Sequence, residues 1–383
     1  RFISKRYWNL VPTAMSESGC RINQYEDIIN LSLGDPDLNT DERIIDGAMK
    51  DAKLGHTHYT DFFGDPELRE EILKYFKEDF DLNFEDDEVM VTTSGCHAMW
   101  LVLEAILDDG DEVIIHEPYF TPYPQQIELA RGKPITLETY EDEEFQINVD
   151  RLEKLITNRT KAVIINTPNN PTGVCFSRKT MEDIAEVAIK HDLIVIADDI
   201  YTSFSYAEPF IPMVSLPGMK ERTITIGSFS KNFVMTGWRI GYVMAPEYLI
   251  ETIKNINENN VFTAPSVSQR AAIYALRLRK DICPPIIEEY KKRMMYAYER
   301  VCRIPNMSCL PPKGSIYLFV NIKNTGLSSE EVCDKLLKEA HILALPGNAF
   351  GKCGEGYIRL ALTVNIDKLK EAFDRIENMD IFM

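Results

Sequence analysis

The sequence predicts an α/β protein: a large domain with a mostly parallel sheet covered by helices, plus a smaller α+β domain formed by the N-terminal arm and the C-terminal segment. Two observations carry that expectation. From Glu88 to Ala245, short apolar runs alternate with segments of helical spacing, the pattern of strands buried on both faces by the helices between them. Over the last hundred or so residues the strands become fewer and the helical runs longer. A chain of 383 residues also has room for roughly two or three domains and a large core.

Each element follows from local pattern. Residues 1–40 lack strong periodicity, end in INLSLGDPDL (29–38), and read as an arm packing on another domain or subunit and forming part of the small domain. The large domain is assigned to 41–280. Within it, EVMVTT (88–93) is a strand and Ser94-Gly95 opens a helical run from His97 to Leu107. DEVIIH (111–116) is the next strand, with helical spacing from Tyr123 to Ala130. KAVIINT (161–167) ends in a Pro/Asn/Gly turn before an amphipathic helix at 177–191. LIVIA (193–197), TITIG (223–227) and IGYVMA (240–245) complete the buried strands. The small C-terminal domain, 281–383, should hold a helix from Pro285 to Val301, GSIYLFVNI (314–322) and a helix at 328–340. ILAL (342–345), GYIRLAL (356–362) and a helix at 366–378 follow.

Composition narrows the function. Forty-two Lys and Arg against 60 Asp and Glu give a formal charge of −18, a field that repels nucleic acid and anionic membranes. No apolar run approaches the ~18 residues of a bilayer span, and no charged-then-apolar leader opens the chain. Arg1 in place of Met points to a trimmed start. The eight cysteines contain no CxxC and no short regular spacing, as expected of a reduced, cytoplasmic protein. His56 and His58 are close in sequence, but no cysteine or carboxylate cluster completes a metal set.

The polar residues of interest follow the strands, where open parallel sheets place ligands. The segment SFSKNFVMTGWRIGY (228–242) sets Lys231 among Phe229, Phe233, Met235 and Trp238. Burial there disfavours the ammonium form and readies the amine for chemistry. Ser94-Gly95 offers free N–H groups at a helix start for an anion, though a tight turn alone also explains it. NNPTG (169–173) reads equally as a Pro-rich turn, and Asp198 in ADDIY (197–201) as a helix cap. One ligand uses them all: a pyridoxal ring needs an amine, a carboxylate, donors to its phenolic oxygen, a phosphate cradle and an aromatic plane. Lys231 and Asp198 supply the first two, and Asn170 and Tyr201 the donors. The Gly95 turn, Ser228 and Arg239 supply the cradle, and Phe120 in EPYFTPY the plane. A carboxylate ~4 Å from a pyridinium is worth roughly 4 kcal/mol at an effective dielectric near 20, enough to keep the ring protonated at neutral pH.

With NPTG, SFSK and TGWRIGY in this order, the chain resembles the class I/II aminotransferases, fold-type I pyridoxal phosphate-dependent enzymes, from SLGDPD at 32 to GYIRLAL at 362. The resemblance implies pyridoxal 5'-phosphate held as an aldimine on Lys231, with Asp198 at the ring nitrogen and Asn170 and Tyr201 at the phenolic oxygen. It implies phosphate contacts from the Gly95-Cys96 backbone, Ser228 and Arg239. Tyr59 matches a tyrosine that reaches the neighbouring subunit's cofactor in a homodimer. Arg359 matches the arginine that grips the substrate α-carboxylate, assisted by Asn170 and the Gly34 backbone. The implied activity is amino transfer between an amino acid donor and a 2-oxo acid acceptor.

One departure bears on specificity. Some aspartate-using relatives carry a lysine where this chain has Cys96, which puts acidic donors in doubt, and Tyr119, Tyr123 and Tyr317 suit an aromatic or apolar side chain or are simply core. Two rivals remain. A carbon–sulfur β-lyase of the cystathionine β-lyase type uses the same scaffold, but its relatives depart from the NPTG and TGWRIGY wording. A non-enzymatic, cofactor-binding regulator would carry a DNA-binding domain ahead of the fold. Only about forty residues precede it here, without a helix-turn-helix pattern.

Overall fold

The computed structural model describes residues 2–8 and 11–383, so positions 1, 9 and 10 of the expected arm lie outside the described residues. The N-terminal segment, for which the sequence offers no strong periodicity, holds helix α1 (Ala14–Arg21) and a short strand β1 (Ile29–Asn30). Helices α2 (Glu42–Lys53) and α3 (Pro66–Phe80) lead to β2 (Val89–Thr92) and α4 (Gly95–Ile106). The alternation continues through β3 (Glu112–Glu117), α5 (Tyr123–Leu129), β4 (Lys133–Glu138), α6 (Val149–Leu155) and β5 (Thr160–Asn166). Next come α7 (Arg178–Lys190), β6 (Ile194–Asp198), β7 (Thr223–Ser228) and β8 (Gly241–Met244).

These strands form one seven-stranded sheet in the order β2-β8-β7-β6-β5-β3-β4. Only β8 runs against its neighbours, so the sheet is mostly parallel. Helices cover both faces. Leu101, Val102 and Ile106 of α4 pack with Ile164 and Ile196 on one side, and Ile184 and Ala188 of α7 with Val163 and Val195 on the other. The edge strand β4 was not read from sequence. Its Pro134 cannot donate to a ladder, which is tolerated because β4 pairs only with β3.

After α8 (Glu247–Glu258) and α9 (Ser266–Arg277), α10 runs from Arg279 to Val301, starting six residues before the expected Pro285. Pro284 and Pro285 lie inside it. Its first turn is held by tertiary contacts: Arg279 pairs with Glu78 and Asp79 of α3, and Ile282 and Cys283 are buried. The remaining elements are β9 (Tyr317–Asn321), α11 (Ser329–Ala340), β10 (Ile342–Leu343), β11 (Leu345–Pro346), β12 (Tyr357–Ala361) and α12 (Ile366–Glu377). ILAL is therefore two strands rather than one. Ile342–Leu343 pairs with β1 in parallel, and Leu345–Pro346 with β12 in a second, antiparallel sheet ordered β11-β12-β9. No helix among the described residues is long and apolar enough to cross a membrane.

The N-terminal segment joins the second sheet. The Leu31 carbonyl accepts from the Ala361 N–H at 2.7 Å, and Ile29 and Leu31 share a core with Leu318, Leu336 and Phe373. Leu31→Ala should therefore behave as a core truncation, costing about 3 kcal/mol. A urea midpoint unchanged from wild type would show that this segment only lies on the surface.

Candidate active site

Strand register assembles the site. Asn166, at the end of β5, lies opposite Asp198, at the end of β6, and Asp198 lies opposite Ile226 of β7. Two residues on, Ser228 ends β7 and the chain turns to present Lys231. These carboxyl ends border a cavity of about 410 Å³. Of the residues singled out in the sequence, Gly34, Gly95, Cys96, Phe120, Asn170, Asp198, Tyr201, Ser228, Lys231 and Arg239 all line it. Tyr59 and Arg359 do not.

Asp198 is buried. Its Oδ2 accepts a hydrogen bond from the Tyr123 hydroxyl, its carbonyl accepts from Asn166 Nδ2 at 2.9 Å, and its Oδ1 is buried without a partner. Burial pushes its carboxyl up to about 6, against the pull of the Tyr123 bond. Lys231 donates from Nζ to the Gly34 carbonyl. Burial draws its ammonium below the usual lysine range; Tyr317 and Asp35 oppose the shift, and the Arg359 and Arg239 cations add to it. Burial also holds the Tyr201 hydroxyl well above the ordinary phenol range, so it stays a proton donor.

An anion cradle forms at the start of α4. Ser94 caps the helix from a left-handed backbone (φ 78°), its Oγ accepting from the His97 N–H at 3.3 Å, which turns the free Gly95 and Cys96 N–H groups outward. Ser228 and the exposed Arg239 face the same cavity. Arg239 also has positive φ (53°) and donates to the Thr236 carbonyl at 2.7 Å.

Arg359 lies behind the cavity wall, fully buried. Nη1 donates to Asn170 Oδ1 at 2.9 Å and Nη2 to the Ser32 carbonyl. Its guanidinium stacks on Tyr317 and Phe350, 4.4 and 4.9 Å from the ring centroids. Nε has no partner, and among the described residues no carboxylate pairs with this cation. Tyr59 is on the surface, 80% exposed, packed edge-on against Phe262.

Three residues of the site were not assigned a role from sequence. Tyr123 was read as a substrate contact or core residue, yet its hydroxyl holds Asp198. Asn166 bonds both Asp198 and the Asn170 backbone N–H, the latter at 2.8 Å. It is the last, polar residue of an apolar strand, a signal that was available. Tyr317 bonds Tyr201.

The donor set fits pyridoxal phosphate. The partnerless Asp198 Oδ1 suits a ring N–H, the Lys231 amine, whose ammonium form burial disfavours, suits an aldehyde, and the α4 terminus with Arg239 a phosphate.

Comparison with known proteins bears on the same chemistry. The model of the family described as aminotransferase class I and II matches residues 26–376. The chain is 41% identical to the aspartate aminotransferase of Pyrococcus abyssi, over 92% of each chain. It is 39% identical to aromatic-amino-acid aminotransferase 2 of Thermococcus litoralis, again over 92% of each. The crystal structure of an aromatic aminotransferase from Pyrococcus horikoshii superposes with a TM-score of 0.89 at 39% identity, covering 94% of this chain and 97% of the other.

The raised Asp198 carboxyl has a measurable sign. In cofactor-free protein, the folded state binds this proton more tightly than the unfolded chain, whose carboxyl keeps its ordinary value of 3.8. Relative to a neutral amide the carboxyl costs nothing below about pH 4 and about 3 kcal/mol above about pH 6. Cofactor-free Asp198→Asn should thus melt higher than cofactor-free wild type at pH 8, with the gap closing as pH falls to 4. A gap that is absent or independent of pH would contradict the burial of this charge.

Proposed function

The chain belongs to the class I and II aminotransferases, fold-type I enzymes that use pyridoxal phosphate, and we propose that it moves the amino group of a donor with an apolar or aromatic side chain to a 2-oxo acid. The observation that carries this is Arg359. A fully buried guanidinium with only neutral acceptors is an unstable arrangement, and a substrate carboxylate relieves it through a bidentate pair.

When bound, pyridoxal phosphate supplies an aldehyde that takes up the amino group and a cationic ring that accepts the electron pair left on Cα. Asp198 holds the proton on the ring nitrogen, and Tyr123 and Asn166 keep that carboxylate in place. Tyr201 and Asn170 donate to the phenolic oxygen. Gly95, Cys96, Ser228 and Arg239 bind the phosphate, and Phe120 covers the ring face. Lys231 would hold the cofactor aldehyde at rest, and its amine, when free of the cofactor, would serve as the base that moves the substrate Cα proton. Arg359 exchanges the Ser32 carbonyl for the α-carboxylate and so aligns the Cα–H bond, with Gly34 closing the other side.

The preference for an uncharged side chain is supported by the cavity lining. Met15, Leu33, Met99 and Phe120 border it, and among the described residues Lys231 and Arg239 are its only cations, both committed to the cofactor. Cys96 stands where a lysine would read a second carboxylate. Relatives named for aspartate and for aromatic donors both occur, so the lining decides the proposal.

We further infer a homodimer, since Tyr59 projects from the surface with Phe262 at its side in a position suited to a partner's phosphate site. The division into 1–40 with 281–383 and 41–280 is proposed from the two sheets. A cytoplasmic location is supported by eight free cysteines.

Incubation with tyrosine, methionine, aspartate and cystathionine, with and without 2-oxoglutarate, tests the reading. Oxo acids should form from tyrosine and methionine only when the acceptor is present. A hundredfold preference for aspartate would overturn the donor class, and thiol with pyruvate from cystathionine without acceptor would favour the lyase. Light scattering should give twice the chain mass, and Tyr59→Phe should weaken cofactor retention. An active monomer would refute the shared site.

A further inference from the structure

Tyr317 starts β9 in the second sheet, whereas Tyr201 follows β6 in the first. Their hydroxyls are 2.9 Å apart and buried, with the rings edge-on at 5.8 Å. Two hydroxyls bonded to each other share one proton between them and leave one free. The surroundings decide which is free. The Arg359 guanidinium lies 4.4 Å over the Tyr317 ring. The Tyr317 hydroxyl also packs against Gly34, where a Cβ would come within 1.8 Å of its oxygen, and the Gly34 carbonyl receives Lys231 Nζ. Arg359 lies near both hydroxyls, but Lys231 adds a second cation on the Tyr317 side, whereas the Tyr201 side has the Asp198 carboxylate, so the Tyr317 hydroxyl is the one placed to donate.

We propose that Tyr317 is a positioning residue for amino transfer: it donates to the Tyr201 oxygen, which leaves the single Tyr201 proton pointing into the cavity, and its ring holds the Arg359 guanidinium in plane. The inference rests on the assignment of Tyr201 to the cofactor's phenolic oxygen. Through this one side chain, the grip on the substrate carboxylate and the charge on the cofactor share a support. The charged and titratable groups beside the pair are Arg359, Asp198 and Tyr123 at Tyr201, and Lys231 and Tyr290 at Tyr317, with Asp35 and Arg239 next to Lys231.

Each half of the role has its own readout. A donor on the phenolic oxygen stabilises the deprotonated form of the bound chromophore, so weakening that donor raises the pH midpoint of the holoenzyme's visible absorbance change. Holoenzyme Tyr317→Phe keeps the ring and loses the donor. Its midpoint should rise by about half to one pH unit, a three- to tenfold tighter hold on the proton, with the KM for the amino donor within threefold. Tyr317→Leu loses the ring as well, and its KM should rise a further tenfold or more.

Tyr201→Phe provides the control. It should raise the midpoint more than Tyr317→Phe, and adding Tyr317→Phe to it should change nothing further. If Tyr201→Phe leaves the midpoint in place, the assignment of Tyr201 fails. If Tyr201→Phe moves it and Tyr317→Phe does not, the relay is overturned while that assignment stands. Additive shifts in the double variant would also overturn it, because Tyr317 would then act independently of Tyr201.

Discussion

The crevice depends on keeping a carboxylate ionised where water does not reach. Asp198 ends a strand flanked on both sides, and burial lifts its carboxyl to about 6 even with the Tyr123 hydrogen bond pulling the other way, a level at which it would be half-neutral in mild acid. The neighbourhood works against that. Tyr123 donates to one carboxylate oxygen. Asn166 ties down the Asp198 backbone and uses its side-chain oxygen to fix Asn170. The Asn166 N–H is received by Nε2 of His116 at 3.2 Å. That imidazole is buried, its pKa pushed down to about 4, so it remains a neutral acceptor at physiological pH. The polar line from His116 to Asn170 leaves one oxygen of Asp198 free, and a cationic ring nitrogen is the partner that offsets its cost.

The other half of the site is supplied by the second sheet. Arg359 of β12 stacks on Tyr317 of β9, and the two reach Asn170 and Tyr201, which follow strands of the first sheet. The two sheets approach so closely that glycine is required at the contact. Gly173 has φ 71°, and a Cβ there would lie 2.5 Å from the Tyr317 carbonyl. The glycine of NPTG thus serves the approach of the strand that carries Tyr317, as well as the turn. A change in the spacing of the two sheets would move the carboxylate grip and the cofactor donors together.

These relations set what could be read from sequence. Lys231, Asp198, Asn170 and Ser228 were legible because each follows an apolar strand, and a parallel sheet brings strand ends together. Arg359 was legible only through resemblance, since nothing local in GYIRLAL marks it as a ligand rather than an outward-facing charge. Tyr123 and Tyr317 were seen as aromatic residues near the site, but their hydroxyl partners lie 75 and 116 positions away. The same limit explains the misread elements. ILAL is uniformly apolar, and only its two different partner strands divide it. The first turn of α10 is set by Glu78 and Asp79, about two hundred residues upstream, which outweighs the local signal of two prolines.

The net charge of −18 disfavours polyanionic partners, yet the substrates of this family are themselves anions. Screening reconciles the two. At physiological ionic strength, fields from surface carboxylates decay over about 8 Å, whereas the buried Arg359 and the largely buried Lys231 act at lower dielectric. A polyanion meets the whole surface and is repelled by it. A single carboxylate that enters the cavity meets these cations at short range, where the buried Asp198 carboxylate is committed to the cofactor ring. Selectivity for small anions over large ones therefore comes from placing the cations inside, and the acidic exterior adds to it.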